Sequence, residues 1–355
     1  METMIVPLGD RSYPIVIAPG SLAGLAGQLT DADKWFVLTD TNIDKLYARD
    51  LAKALAPVPH TKMVIQAGET AKNFRTAENI INAMASARLT RHSGLISFGG
   101  GVIGDLSGFC ASLYMRGIPY VQVPTTLLAQ VDSSVGGKTG VNIQAGKNMA
   151  GTFYQPAAVV IDTALLATLP CREFTAGLGE VIKYGVIYDY QLLTVLANNI
   201  AKISDPDLLS RIVADCCRIK AKIVGRDENE QGLRKILNFG HTFGHALEAL
   251  SGYTRYLHGE AVLIGMYYET LMAESLAMIS SEYRQQIAQL IRQTGIDLDI
   301  SGLSLSCLVD QMRSDKKNSG EAISFLLPAG PGKVAEIQCT APETVALLAQ
   351  LARWQ

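Results

Sequence analysis

Several things this sequence lacks narrow its class before any motif is read. It has no CxxC pair: Cys110, Cys171, Cys216, Cys217, Cys307 and Cys339 are scattered over 355 residues, which predicts reduced thiols used as core filler in a cytoplasmic compartment. It has no excess of one charge. With 31 basic and 33 acidic residues the net charge is −2, which argues against generic nucleic-acid binding and leaves anion recognition to local clusters. It has no long apolar run either. The longest uncharged stretch, residues 12–30, is broken by Pro14, Pro19, Gly20, Gly24 and Gly27, so no membrane span is expected. The opening Met-Glu-Thr-Met carries no basic region, which predicts no secretion signal.

What is present is a balance of 48% hydrophobic and 18% charged residues, that of a globular chain with material for about two domains of roughly 150 residues. β-rich runs at 4–8, 13–17, 35–38, 62–66, 95–98 and 120–123, the first two a hairpin around Gly9-Asp10, alternate with helical patterns such as 43–56 and 76–88. Strand, helix, strand at this spacing predicts a parallel sheet flanked by helices, a Rossmann-like α/β nucleotide-binding domain over 1–169. From about Phe174 the texture turns helical, at 176–188, 208–224, 237–250, 259–278 and 283–293, with a late hairpin at 322–327 and 334–339. A mainly α-helical domain is therefore expected over 170–355, the boundary falling near Leu169-Pro170, and the histidines it contains make it the metal-binding one.

Gly99, Gly101 and Gly104 satisfy GxGxxG between a predicted strand and a predicted helix, where bare backbone amides and a helix N-terminus favour a pyrophosphate. Asp40, ending one strand, could bind ribose hydroxyls, and Gly68 to Lys72 end another; three polar strand ends favour a dinucleotide. Residues 132–139 look like a P-loop but hold Asp132 where the first glycine belongs, so ATP hydrolysis is rejected. Lys138 beside two glycines and Lys147-Asn148 nine residues on suggest an anionic substrate, each charge-assisted contact worth about 1.5–3 kcal/mol.

Three of only five histidines, His241, His245 and His258, lie within 18 residues, the first two at i and i+4 on one helical face. Such crowding points to a metal. Glu180, on an otherwise apolar helix, could complete the set or could simply pair with Lys183. The absence of HExxH removes the usual base of a metalloprotease.

The ordered set GGGVIGD, VPTTLLAQVDSSVGGKTGVN, GKNMAGTFYQP, GLGEVIKYG, LNFGHTFGHALE and LHGEAV, between about Asp40 and Lys317, resembles the 3-dehydroquinate synthase family of sugar-phosphate cyclases. The resemblance implies NAD in the α/β half and one divalent metal, zinc or cobalt, on Glu180, His241 and His258. It implies NAD contacts at Asp40, Asn42, Glu69, Lys72, Gly100, Gly101, Val102, Ile103, Gly104, Asp105, Thr125, Thr126, Lys138, Lys147, Leu165 and Thr168. Substrate contacts would fall on Arg116, Asp132, Lys138, Lys147, Asn148, Lys183, Lys220, Arg234, Asn238, His245 and one of Lys316 or Lys317. The implied reaction takes 3-deoxy-D-arabino-heptulosonate 7-phosphate to 3-dehydroquinate and phosphate. It runs through transient oxidation at C5, β-elimination of phosphate, re-reduction, ring opening and an intramolecular aldol step, with NAD regenerated. A homodimer is implied as well. Two rival readings are a metal-dependent polyol dehydrogenase, which would accumulate NADH and has no use for so many cations, and a nucleotide-binding protein without catalysis, against which the intact ligand set argues.

Overall fold

The computed structural model describes residues 1–314 and 322–351. Its first elements are β1 (Glu2–Val6), β2 (Tyr13–Ile17), β3 (Trp35–Asp40), α1 (Thr41–Ala54), β4 (His60–Ile65), α2 (Phe74–Ser86), β5 (Gly94–Gly99), α3 (Gly101–Leu113), β6 (Tyr120–Pro124), β7 (Lys138–Ile143), β8 (Gly146–Phe153) and β9 (Ala158–Ile161). Helices follow: α4 (Cys171–Ile187), α5 (Tyr190–Asn199), α6 (Pro206–Arg226), α7 (His241–Leu250), α8 (His258–Ser275), α9 (Ser281–Gln293) and α10 (Leu305–Arg313). The hairpin of β10 (Ala322–Gly330) and β11 (Lys333–Thr340) then leads to α11 (Ala341–Leu351). Among the described residues no helix is long and apolar enough to cross a membrane.

The chain divides into two units, Met1–Pro170 with Pro206–Glu230, and Cys171–Asp205 with the residues from Gln231 onward. The sequence reading carried 170–355 as one stretch, whereas α6 returns to the first unit. Packing explains the return. Cys217 Sγ lies 3.2 Å from the Gln130 carbonyl, Lys220 Nζ donates to the Asp132 carbonyl at 2.7 Å, and a Cβ on Gly225 would meet Pro7 Cγ at 2.6 Å.

The first unit is built on a seven-stranded sheet of order β1-β2-β9-β6-β5-β3-β4, with only β1 antiparallel to its neighbour. β3 and β5 are buried along their whole length, as strands covered on both faces must be. Alternation sends Phe36 and Leu38 into one core and Trp35 and Val37 into the other. β3 lies between β4 and β5, so the chain moves outward from β3 to β4 and then the opposite way through β5 to β6. This reversal makes a crevice at the C-terminal ends of β3 and β5, the usual ligand position in such sheets. Asp40 and the Gly99-Gly100-Gly101 turn sit there.

Two local expectations need correction. The helix expected over 237–250 is interrupted: a 3-10 turn covers Leu233–Asn238, Gly240 adopts φ +81°, and α7 starts at His241. The lysine-bearing glycine segment, read from sequence as a loop, is the antiparallel hairpin of β7 and β8. The cysteines also divide. Burial pushes the Cys110 and Cys217 thiols up to about 12, as core filler requires, but Cys171 and Cys307 are exposed.

Candidate functional site

In the first unit, α3 begins directly after the glycine turn, so its first-turn N–H groups face the sheet's C-terminal edge without intrahelical partners. Side chains could not occupy this turn freely. A Cβ on Gly99 would lie 2.6 Å from Ile103 Cγ1, and one on Gly100 would lie 3.0 Å from Thr126 Cγ2. Nearby, the buried Thr125 hydroxyl has no hydrogen-bond partner, the mark of a group that a ligand can satisfy. Together the bare cradle and the orphan hydroxyl fit a pyrophosphate-bearing cofactor.

The other expected dinucleotide contacts are held by neighbours. Asp40 Oδ1 accepts from the Asn42 and Ile43 amides at 2.8 and 3.0 Å, capping α1. Lys72, nearly buried, forms an ion pair with Asp105. Glu69 Oε1 accepts from Asn142 Nδ2 at 2.7 Å. Thr168 Oγ1 and the Leu165 carbonyl lie 2.6 and 3.1 Å from the Tyr47 hydroxyl.

The expected anion-binding residues sit on constrained backbone. Met115, Arg116 and Gly117 take φ of +51°, +66° and +120° in succession, and Asn148 takes +54°. Such conformations cost about 1–3 kcal/mol for a non-glycine residue and concentrate at functional positions. Asn142 Oδ1 accepts the Asn148 amide at 2.9 Å, so one asparagine ties the β8 entry to Glu69. Lys138 opens β7 and pairs with Glu230, while Lys220 donates to Asp132 Oδ1 at 2.8 Å. Lys147 stands at the start of β8, half-buried. The sequence reading missed Asn142 and Glu230. Asn142 is uncharged and Glu230 is one acid in the charged run Arg226–Glu230, so only the β7–β8 pairing and the return of α6 reveal their partners.

In the second unit, glycines let three helices approach closely. A Cβ on Gly259 would fall 1.8 Å from the Ala176 carbonyl oxygen, and one on Gly265 would fall 2.0 Å from that of Gly240. These contacts bring Glu180 of α4, His241 of α7 and His258 of α8 together, with one ligand atom from each within 4.8 Å of the others. His241 Nε2 is 3.6 Å and His258 Nε2 3.8 Å from Glu180 Oε1. Glu180 is 1% exposed, its Oε1 makes no hydrogen bond, and its Oε2 faces Lys183 in an ion pair. The expected ion pair with Lys183 is therefore formed, and it leaves Glu180 Oε1 on the side of the two imidazoles.

The outer nitrogens are spoken for. His241 Nδ1 lies 3.0 Å from the Phe239 carbonyl and His258 Nδ1 lies 3.0 Å from Glu248 Oε2. Burial alone would pull His258 down, but Glu248 and then Glu180 more than offset it, and its net shift is upward. A buried carboxylate with a bare oxygen and two imidazoles turned toward it is a donor set that fits a divalent cation of zinc type. His245, whose ring centroid lies 5.5 Å from that of His241, is grouped with Glu248 and His258 instead. Arg234 is buried, and it and Asn238 lie in the 3-10 turn before α7. Lys316 and Lys317 fall outside the described residues.

Residues 62–176 match the family described as 3-dehydroquinate synthase N-terminal, and residues 177–318 the one described as 3-dehydroquinate synthase C-terminal. A 3-dehydroquinate synthase of Alkaliphilus metalliredigens (strain QYMF) is 48% identical over 350 residues, covering 98% of each chain. A structure of 2-epi-5-epi-valiolone synthase from Streptomyces hygroscopicus subsp. jinggangensis 5008, with NAD+ and Zn2+ bound, superposes with TM-score 0.89 at 29% identity and 97% coverage of both chains. One of 2-deoxy-scyllo-inosose synthase gives TM-score 0.90 at 23% identity over 98% of this chain and 99% of that one, a likeness of fold.

Proposed function

The chain belongs to the 3-dehydroquinate synthase family, and on that premise we propose that it converts 3-deoxy-D-arabino-heptulosonate 7-phosphate to 3-dehydroquinate and phosphate. The observation that carries this reading is the 48% identity to such a synthase across 98% of both chains. The 2-epi-5-epi-valiolone synthase and 2-deoxy-scyllo-inosose synthase structures share the fold at 29% and 23% identity.

In this reading NAD supplies a reversible hydride acceptor and a divalent cation, zinc or cobalt, supplies a Lewis acid. Glu180, His241 and His258 would hold the cation, three protein ligands being the number that leaves positions for substrate oxygens. Lys183 balances the Glu180 charge in the buried pocket. The amides of Gly100 to Gly104 and the α3 N-terminus would take the cofactor's pyrophosphate, and Asp40, Asn42, Glu69 and the Lys72–Asp105 pair its remaining polar groups. Arg116, Lys138 and Asn148 would bind the substrate phosphate, with His245 as a further donor. Arg234 and Asn238 are assigned to the substrate carboxylate, and Lys220 acts together with Asp132, to which it is bonded. The same reading makes the chain a cytoplasmic homodimer; free thiols at all six cysteines accord with a reducing compartment.

Substrate choice tests the proposal. Purified enzyme supplied with NAD and zinc or cobalt should release phosphate from 3-deoxy-D-arabino-heptulosonate 7-phosphate at least a hundredfold faster than from sedoheptulose 7-phosphate or glucose 6-phosphate. A preference for either of the latter would move the chain to another cyclase reaction. NADH accumulation on a polyol would move it to a dehydrogenase.

A further inference from the structure

His241, His245 and Glu248 recur at i, i+4 and i+7 and so share one face of α7. Glu248, the last of them, is 2% exposed, although a glutamate in a helix is ordinarily solvated. Its Oε2 lies 3.0 Å from His258 Nδ1, while the Nε2 of the same ring lies 3.8 Å from Glu180 Oε1. An ionised carboxylate only accepts hydrogen bonds. Nδ1 therefore carries the proton in this contact, and Nε2, on the side of Glu180, is the ring nitrogen placed to ligate a cation.

We propose that Glu248 is a positioning residue for the metal centre: it fixes the tautomer and orientation of His258 and raises the basicity of its Nε2. The proposal rests on the assignment of the cation to Glu180, His241 and His258. His241 receives the same tautomeric instruction from a neutral carbonyl, that of Phe239. His258 is backed by a carboxylate, and an anionic hydrogen-bond acceptor makes the opposite nitrogen the stronger ligand. Glu248 also lies within ligand distance of His245 and His258, in a second group that shares His258 with the first. A cation held by that group through His258 Nδ1 would need the site now taken by the Nδ1–carboxylate hydrogen bond. The observed 3.0 Å contact favours support over ligation.

Cobalt titration of chelator-treated protein tests this, with occupancy followed by the visible absorption of the bound ion and by metal analysis. Wild type should bind one ion per chain, and Glu248→Gln should still bind one, with affinity about 10–100-fold weaker and an altered spectrum. Unchanged affinity and spectrum in Glu248→Gln would overturn the proposal. So would two ions per wild-type chain of which the variant keeps one, since Glu248 would then be a ligand. Should the variant misfold, 15N spectra of the metal-loaded wild type decide, with an Nδ1–H signal at His258 expected and an Nε2–H signal contradicting it. Wild-type affinity retained in Glu180→Gln would reject the underlying metal assignment, a result separable from the Glu248 outcome.

Discussion

Residue chemistry in the second unit turns on charge held away from water. Glu180 and Lys183 are both 1% exposed and face one another. Glu180→Gln leaves the ammonium buried without its counter-charge, a change expected to cost about 3–5 kcal/mol, measured by denaturant unfolding of metal-free protein. His258→Ala should lose metal and activity together, whereas Lys147→Ala should keep the metal and lose turnover; metal analysis beside steady-state rates separates the two. The histidine cluster and Glu180 were legible in the sequence because three imidazoles within 18 residues and a charge on an apolar helix are both improbable without a task. Glu248 was not, since a single glutamate late in a helix has the signature of a surface residue until its burial and partner are known. Asn142 escaped for a similar reason, as its two partners, Glu69 and Asn148, are distant or offset in sequence.

Elements meet here through missing side chains. Gly259 lets α8 approach α4 so closely that a Cβ would penetrate the Ala176 carbonyl, 1.8 Å away. Gly259→Ala should therefore force the two helices apart, destabilise the protein by about 1–3 kcal/mol or more and weaken metal binding, because His258 and Glu180 ride on the separated helices. Wild-type stability and metal content in this variant would show that the approach is not needed. Glycine also set the limits of sequence reading. Its poor strand propensity disguised β7 and β8 as loop, although Gly151 is required there by backbone contact, its Cβ position lying 2.0 Å from the Thr139 carbonyl oxygen. Apolar periodicity ran a helix through 237–250, but Gly240 at φ +81° ends one turn and starts another, and this break is what begins α7 at His241. The fully buried β3 and β5, by contrast, were plain from short apolar runs, unbroken at 35–38 and interrupted only by Ser97 at 95–98.

For the whole molecule, the parallel sheet and the helical second unit followed from periodicity, but the return of α6 did not. An amphipathic helix shows that it has a buried face without showing which unit receives it, and Lys220 on Asp132 becomes visible only in three dimensions. The first unit carries the features that suit a dinucleotide and the second those that suit a divalent cation. Their combination in a family defined by 3-dehydroquinate synthesis predicts a cofactor that is used and restored within each turnover. The most direct test counts phosphate released from 3-deoxy-D-arabino-heptulosonate 7-phosphate per molecule of NAD supplied, while NADH absorbance is followed. The account predicts many phosphates per NAD, no accumulated NADH, and loss of activity on chelation with recovery on added zinc or cobalt. Stoichiometric NADH formation, or undiminished turnover in metal-free protein, would contradict it.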